Sequence, residues 1–254
     1  MFRMPLRLEF TWLLVRGKRC HFDFPTIAAM NESEPFGVIW DMDGTFVDTA
    51  ELHFQAWSET ARELNLPFTP ADFAATFGKR NPEILRQLYG NRFSEDEIAH
   101  WGHRKEEHYK AAARRQGVEP LPGVRQLLQS LHDAGFKQAV GSSAPRGNLD
   151  LILMLTKLEF FFDALVSMED TQRGKPNPQV FLVAAERLKV PPERCLVVED
   201  AVAGVQAAKK GGMKCIAVDF VGHHGEAALR SGGADLVVKT LESVSVDTVR
   251  LLLG

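Results

Sequence analysis

From residue 36 onward the chain alternates short apolar runs with helical stretches, and few architectures accommodate that rhythm. The runs are FGVIWD, FKQAVGS, DALVS, CLVVED, KCIAVD and ADLVVK. Helical stretches fall at about 123–133, 146–157, 177–188, 201–210, 224–231 and 241–252. Strands that alternate with amphipathic helices form a parallel sheet with helices on both faces.

A longer, mostly helical block separates the first run from the second. Thr69-Pro70 and Asn81-Pro82 each set a capping residue before a proline at the first helical position. Ser94 and Glu97 form a capping box ahead of a long polar helix through Arg114. No strand-like alternation occurs there. The expected fold class is α/β: a Rossmann-like, doubly wound parallel-sheet core of residues 35–48 and 119–254, with a small helical cap, 49–118, inserted after the first strand.

Residues 1–34 read as an N-terminal extension, poorly ordered. Its apolar pieces are interrupted by Arg7, Glu9 and Arg16, which leaves it too short and too charged for a membrane span and without a clean signal-peptide core. Met30 just before the recognisable domain is an alternative start. A net charge of −3 among 254 residues offers no electrostatic handle for nucleic acid or an acidic membrane. Cys20, Cys195 and Cys215 lack zinc or disulfide spacing, which points to a reducing cytoplasm. A monomer is the default expectation.

In an open parallel sheet, ligands collect outside the carboxyl ends of the strands. The first run ends in Asp41 and Asp43, the second in Ser142 and Ser143, the fourth in Glu199 and Asp200; Lys175 lies in the loop after DALVS. Each has an ordinary alternative. Asp43-Gly44 is a good turn pair, the serines and the Glu-Asp pair can cap the next helix, and a lysine before Pro-Asn-Pro is commonly solvated. All of them occurring blandly at one sheet edge is a far rarer coincidence.

The order DxDGTxxD, then Ser, Lys and Glu-Asp, resembles the haloacid dehalogenase-like phosphatase superfamily across residues 36 to about 250. DTAELHFQAW and the helical insert look like its β-phosphoglucomutase-like branch. The resemblance implies that Asp41 is the nucleophile and Asp43 the general acid/base. It implies that Ser142, with Ser143 beside it, holds phosphate and that Lys175 bridges nucleophile and phosphate. Asp41, Asp43, Glu199 and Asp200 would serve Mg²⁺. His53 and Lys105 match cap positions that deliver the acid/base and contact the sugar phosphate; their alternatives are a polar helix side and a solvated helix face. The second aspartate disfavours a dehalogenase.

Charge arithmetic then accounts for the crowded carboxylates. A phosphate monoester brings about two negative charges, and a carboxylate attacks such a dianion only when that repulsion is offset. Mg²⁺ and Lys175 offset it. Negative charge nearby should raise the pKa of Asp43 and keep it partly protonated. Thr45 would orient Asp43 or satisfy the turn, and Asp48 would hydrogen-bond the turn after the first strand.

The substrate is expected to be a small phosphorylated metabolite and the reaction hydrolysis. The alternative is a phosphosugar mutase of the β-phosphoglucomutase type. The mutase has an arginine in the cap loop for its second phosphate where this chain reads Asn81, and Ala144-Pro145 replaces its Ser-Lys pair. Arg80 and Lys79 are adjacent substitutes. A non-catalytic protein on the same fold would lack one of the charged positions, and none is missing. His223-His224 is a weak metal candidate without a third ligand.

Overall fold

The computed structural model describes residues 35–222 and 224–254. The expectations for the N-terminal extension, Cys20 and His223 lie outside the described residues.

Six parallel strands make one sheet: β1 Gly37–Trp40, β2 Lys137–Gly141, β3 Ala164–Val166, β4 Cys195–Glu199, β5 Lys214–Val218 and β6 Leu236–Val238, in the order β3-β2-β1-β4-β5-β6. β1 is central, paired in register with β2 on one side and β4 on the other. Successive side chains of a strand point to opposite faces, and here they enter two different cores. Val38, Trp40, Val140, Leu196 and Val198 face one core; Ile39, Ala139, Cys195, Val197 and Cys215 face the other.

Helices cover both faces. The first core takes Leu127, Leu128 and Leu131 of α5 (Val124–Asp133), Leu149 and Ile152 of α6 (Arg146–Thr156) and Val249 of α10 (Val246–Leu253). The second takes Phe181, Ala184 and Leu188 of α7 (Gln179–Leu188), Val205 and Ala208 of α8 (Val202–Lys210) and Leu229 of α9 (Glu226–Ser231). The chain order reverses beside β1, so the carboxyl ends of β1, β2 and β4 open onto a shared crevice.

Between β1 and β2 lie α1 (Ala50–Leu64), α2 (Pro70–Thr76), α3 (Asn81–Tyr89) and α4 (Glu95–Gln116). They carry a small core of their own: Trp57, Ile84, Leu85 and Ile98, joined by Phe68 and Trp101. The box at Ser94 forms as the sequence indicates, and Thr69, expected as a cap, makes a box with Asp72 as well, each hydroxyl accepting from the third helical N–H. No helix among the described residues is long and apolar enough to cross a membrane.

Three local expectations need correction. Asn81 is not a cap: it is the first residue of α3, Arg80 holds the cap position, and the Asn81 side chain turns to a buried carboxylate instead. The stretch 241–252 divides into a 3₁₀ turn, Leu241–Ser243, and α10, because Ser245 accepts from the Thr248 N–H at 3.1 Å and restarts the helix. The third helix of the core starts at Gln179 rather than 177: Pro176 and Pro178 flank Asn177, whose side chain accepts the Gln179 N–H at 3.0 Å.

Candidate active site

The sheet delivers the first residues of the site. Beyond β1 the Asp41 N–H still bonds to the Val198 carbonyl at 2.9 Å, and beyond β2 the Ser142 N–H bonds to that of Val166 at 3.0 Å. Both residues therefore stay pinned to the sheet edge. Glu199 ends β4, with Asp200 next. After Asp41 the chain turns tightly: Gly44 takes φ +88°, and its N–H returns to the Val47 carbonyl at 2.8 Å. A Cβ at Gly44 would sit 2.1 Å from Asp200 Oδ2, so this turn and Asp200 need glycine to approach.

Lys175 reaches into this crevice from the loop after β3. Its Nζ donates to Asp41 Oδ1 and, at 2.7 Å, to Glu199 Oε1, and it lies 4.9 Å above the Phe181 ring. Glu199 Oε2 accepts the N–H groups of Asp200 and Ala201 at 2.7 and 2.5 Å, so it also holds the entry to α8. Capping and ion pairing coexist in that one side chain. Thr45 Oγ1 donates to Asp200 Oδ1 at 3.3 Å; it orients Asp200, not Asp43.

Asp41, Glu199 and Asp200 offer ligand oxygens that all lie within 4.8 Å of one another. Burial pushes the Asp41 carboxyl up to about 7, against the pull of Lys175 and with the help of Glu199. Burial, then Glu199 and Asp41, raise Asp200 well above the carboxylate range. One lysine thus falls short of balancing three crowded carboxylates. The donors are all carboxylate oxygens, without thiol or imidazole, and they fit a hard divalent cation.

Asp43 stands apart from that trio. Its Oδ1 accepts from Thr49 Oγ1 and lies 3.5 Å from His53 Nε2. Its carboxylate is therefore not grouped with the metal-fitting oxygens. The expected rise in its pKa is also reversed: burial raises it, but hydrogen bonding and charge from His53, then Thr49 and Lys105, hold it below the ordinary value. Lys105 Nζ approaches His53 Nδ1 at 2.7 Å. An ammonium only donates, so Nδ1 accepts and the ring proton belongs on Nε2, facing Asp43. His53 also stacks on Tyr109 at 4.3 Å.

Lys105 is no solvated residue; it is 2 % exposed and paired with Glu106 at 3.1 Å. Asp48 Oδ1 accepts the Ala50 N–H at 3.1 Å, starting α1 as a turn residue should. Ser142 is buried, its Oγ accepting the Ala144 N–H at 3.0 Å; Ser143 is half-buried, and both face the cavity. The cavity holds about 520 Å³ and is also lined by Asp41, Asp43, His53, Lys105, Lys175, Glu199 and Asp200. His224 lines it too, outside the carboxylate trio. The predicted set thus lines one crevice.

Sequence reasoning passed over Thr49, Glu106, Asn148 and Gly204. Of these only Gly204 carried a readable signal, a glycine in the first turn of a helix. A Cβ there would lie 1.5 Å from Glu199 Oε1. Gly204→Ala is therefore expected to drive Glu199 off Lys175, at a cost of about 1–3 kcal/mol as in other overpacked sites. A thermal melt unchanged from the parent would contradict this.

Comparison with known proteins places these features in a wider group. A family model described as haloacid dehalogenase-like hydrolase matches residues 38–218. The chain is 33 % identical to β-phosphoglucomutase of Bacillus subtilis, over 83 % of this chain and 92 % of that one. It is 32 % identical to the phosphorylated carbohydrates phosphatase of Thermotoga maritima, over 79 % of this chain and 93 % of that one. The crystal structure of β-phosphoglucomutase from Clostridium difficile superposes with a TM-score of 0.77 over 86 % of this chain and 97 % of that chain, at 24 % identity, a likeness of fold.

Proposed function

This chain belongs to the haloacid dehalogenase-like hydrolase family and is a phosphoryl-transfer enzyme, and we propose that it is a Mg²⁺-dependent phosphatase acting on a small, sugar-like phosphate monoester. The observation that carries this reading is the meeting of Asp41, Lys175, Glu199 and Asp200 on one cavity that Asp43 and His53 also line. Its core is residues 35–48 and 119–254, its cap 49–118. We take it to be a cytoplasmic monomer.

Asp41, Glu199 and Asp200 would hold the Mg²⁺, which when bound supplies positive charge against the phosphate oxygens. Lys175 and Ser142 hold the transferring phosphate. Asp41 Oδ attacks phosphorus; the phosphorus–ester oxygen bond breaks, and the leaving alkoxide takes a proton from Asp43. The substrate's own negative charge raises the pKa of Asp43 as it binds, opposing His53. Water then attacks the aspartyl-phosphate, Asp43 takes its proton, and inorganic phosphate departs.

The cap cations favour hydrolysis over mutase chemistry. Arg80 donates to the carbonyl and hydroxyl of Thr171 at 3.3 and 2.6 Å, and Lys79 donates to Gln87. Lys105 is held by His53 and Glu106. Among the described residues lining the cavity, every lysine and arginine already has a protein partner, and Asn81 is not a cation. A second phosphate would compete with these partners, Arg80 Nε being the one buried donor among these side chains without one. Incubation with β-glucose 1-phosphate and a trace of its bisphosphate should release free phosphate faster than glucose 6-phosphate appears. The opposite order would favour the mutase.

A further inference from the structure

We propose that Glu106 sets the substrate class of this cavity: monophosphates whose leaving group meets it with an uncharged hydroxyl, to the exclusion of a second phosphate. This rests on the phosphatase reading above.

Glu106 lines the cavity, yet is only 6 % exposed. Its Oε1 accepts from Asn81 Nδ2 at 2.7 Å and from Lys105 Nζ at 3.1 Å; its Oε2 accepts from Asn148 Nδ2. Burial would raise its pKa, but Lys105, His53 and the two amides hold it down at about 2, so it is a carboxylate at any working pH. The contacts Asp43–His53–Lys105–Glu106 form one continuous string along the cavity. The group beyond the ester oxygen therefore runs toward a fixed negative charge.

Two physical consequences follow from that string. A carboxylate has about four lone-pair positions, and the Asn81, Lys105 and Asn148 donors take three of them. One remains for a donor, which a hydroxyl supplies and a phosphate dianion does not. The cation on this string, Lys105, is already neutralised by Glu106. Like charges brought together at a desolvated site suppress the wrong partner.

The test compares kcat/KM for glucose 6-phosphate and glucose 1,6-bisphosphate, with Mg²⁺, in the parent, Glu106→Gln, Asn81→Arg and Asn148→Ala. The parent should prefer the monophosphate by at least about tenfold, and Glu106→Gln should narrow that ratio about tenfold, chiefly through KM for the bisphosphate. Asn81→Arg, which leaves Glu106 in place beside a new cation, should narrow it too, and keeps the test available if the glutamine variant does not fold. Asn148→Ala removes a hydrogen bond but no charge and should preserve the preference. No preference in the parent, an unchanged ratio in both charge variants, or an equal narrowing in Asn148→Ala overturns the proposal. Failure of the parent to hydrolyse p-nitrophenyl phosphate with Mg²⁺ would instead overturn the phosphatase reading, and this proposal with it.

Discussion

Asp41→Asn is expected to lower Mg²⁺-dependent phosphate release by at least about 10³-fold while the protein remains folded. The amide has the shape of the carboxylate but no anionic oxygen to attack phosphorus. It also removes one negative charge from three crowded carboxylates whose repulsion and burial already raise Asp41 to about 7. Lys175 keeps Glu199 as a partner at 2.7 Å, so no buried ammonium is left alone. Melting should therefore stay close to the parent's. A variant that retains most of its turnover would overturn the assignment of Asp41 as nucleophile.

Lys175→Met should lose both activity and stability, which separates it from Asp41→Asn. Turnover should fall about 10²–10³-fold, the usual loss when one group stabilising developing charge is removed. Asp41 and Glu199 would share no cation, and stripping one partner from a buried ion pair costs roughly 3–5 kcal/mol. In a domain of this size that lowers Tm by roughly 6–20 °C. The sign of the pH dependence follows from Asp41. Its carboxyl is raised from 3.8 to about 7, so the fold holds a proton that the unfolded chain has released, and stability declines as pH rises across that window. Without Lys175, which lowers the Asp41 pKa, the decline should extend to higher pH. Thermal melts at pH 5 and pH 8, with and without Mg²⁺, measure this; an equal Tm for parent and variant at pH 8 without metal would contradict it.

Much of the site was legible because its residues end strands. The edge of a parallel sheet is a consequence of strand order, so Asp41, Ser142 and Glu199 could be assigned to one edge from apolar runs alone. Lys175 was less secure, since a loop lysine carries no directional signal; only its contacts with Asp41 and Glu199 show where it points. The cap was harder still. His53 and Lys105 sit on helices whose burial depends on how α1 and α4 pack, and a run such as HRKEEHYK reads as solvated whichever side faces inward. Asn81 shows the same limit from the other side. Asn-Pro is a sound helix-start signal, but the buried Glu106 carboxylate is a stronger attraction for its amide than the helix end.

By itself the sequence determined the parallel sheet, its helical insert and the carboxylates at its edge, because these follow from periodicity and chain order, which are local. Tertiary structure decided which side chains share each other's charge. Asp43 is held down by His53 rather than raised by its neighbours, Thr45 serves Asp200, and Lys105 is paired with Glu106, since electrostatics at a few ångströms depends on distances that residues far apart in the chain acquire only on packing.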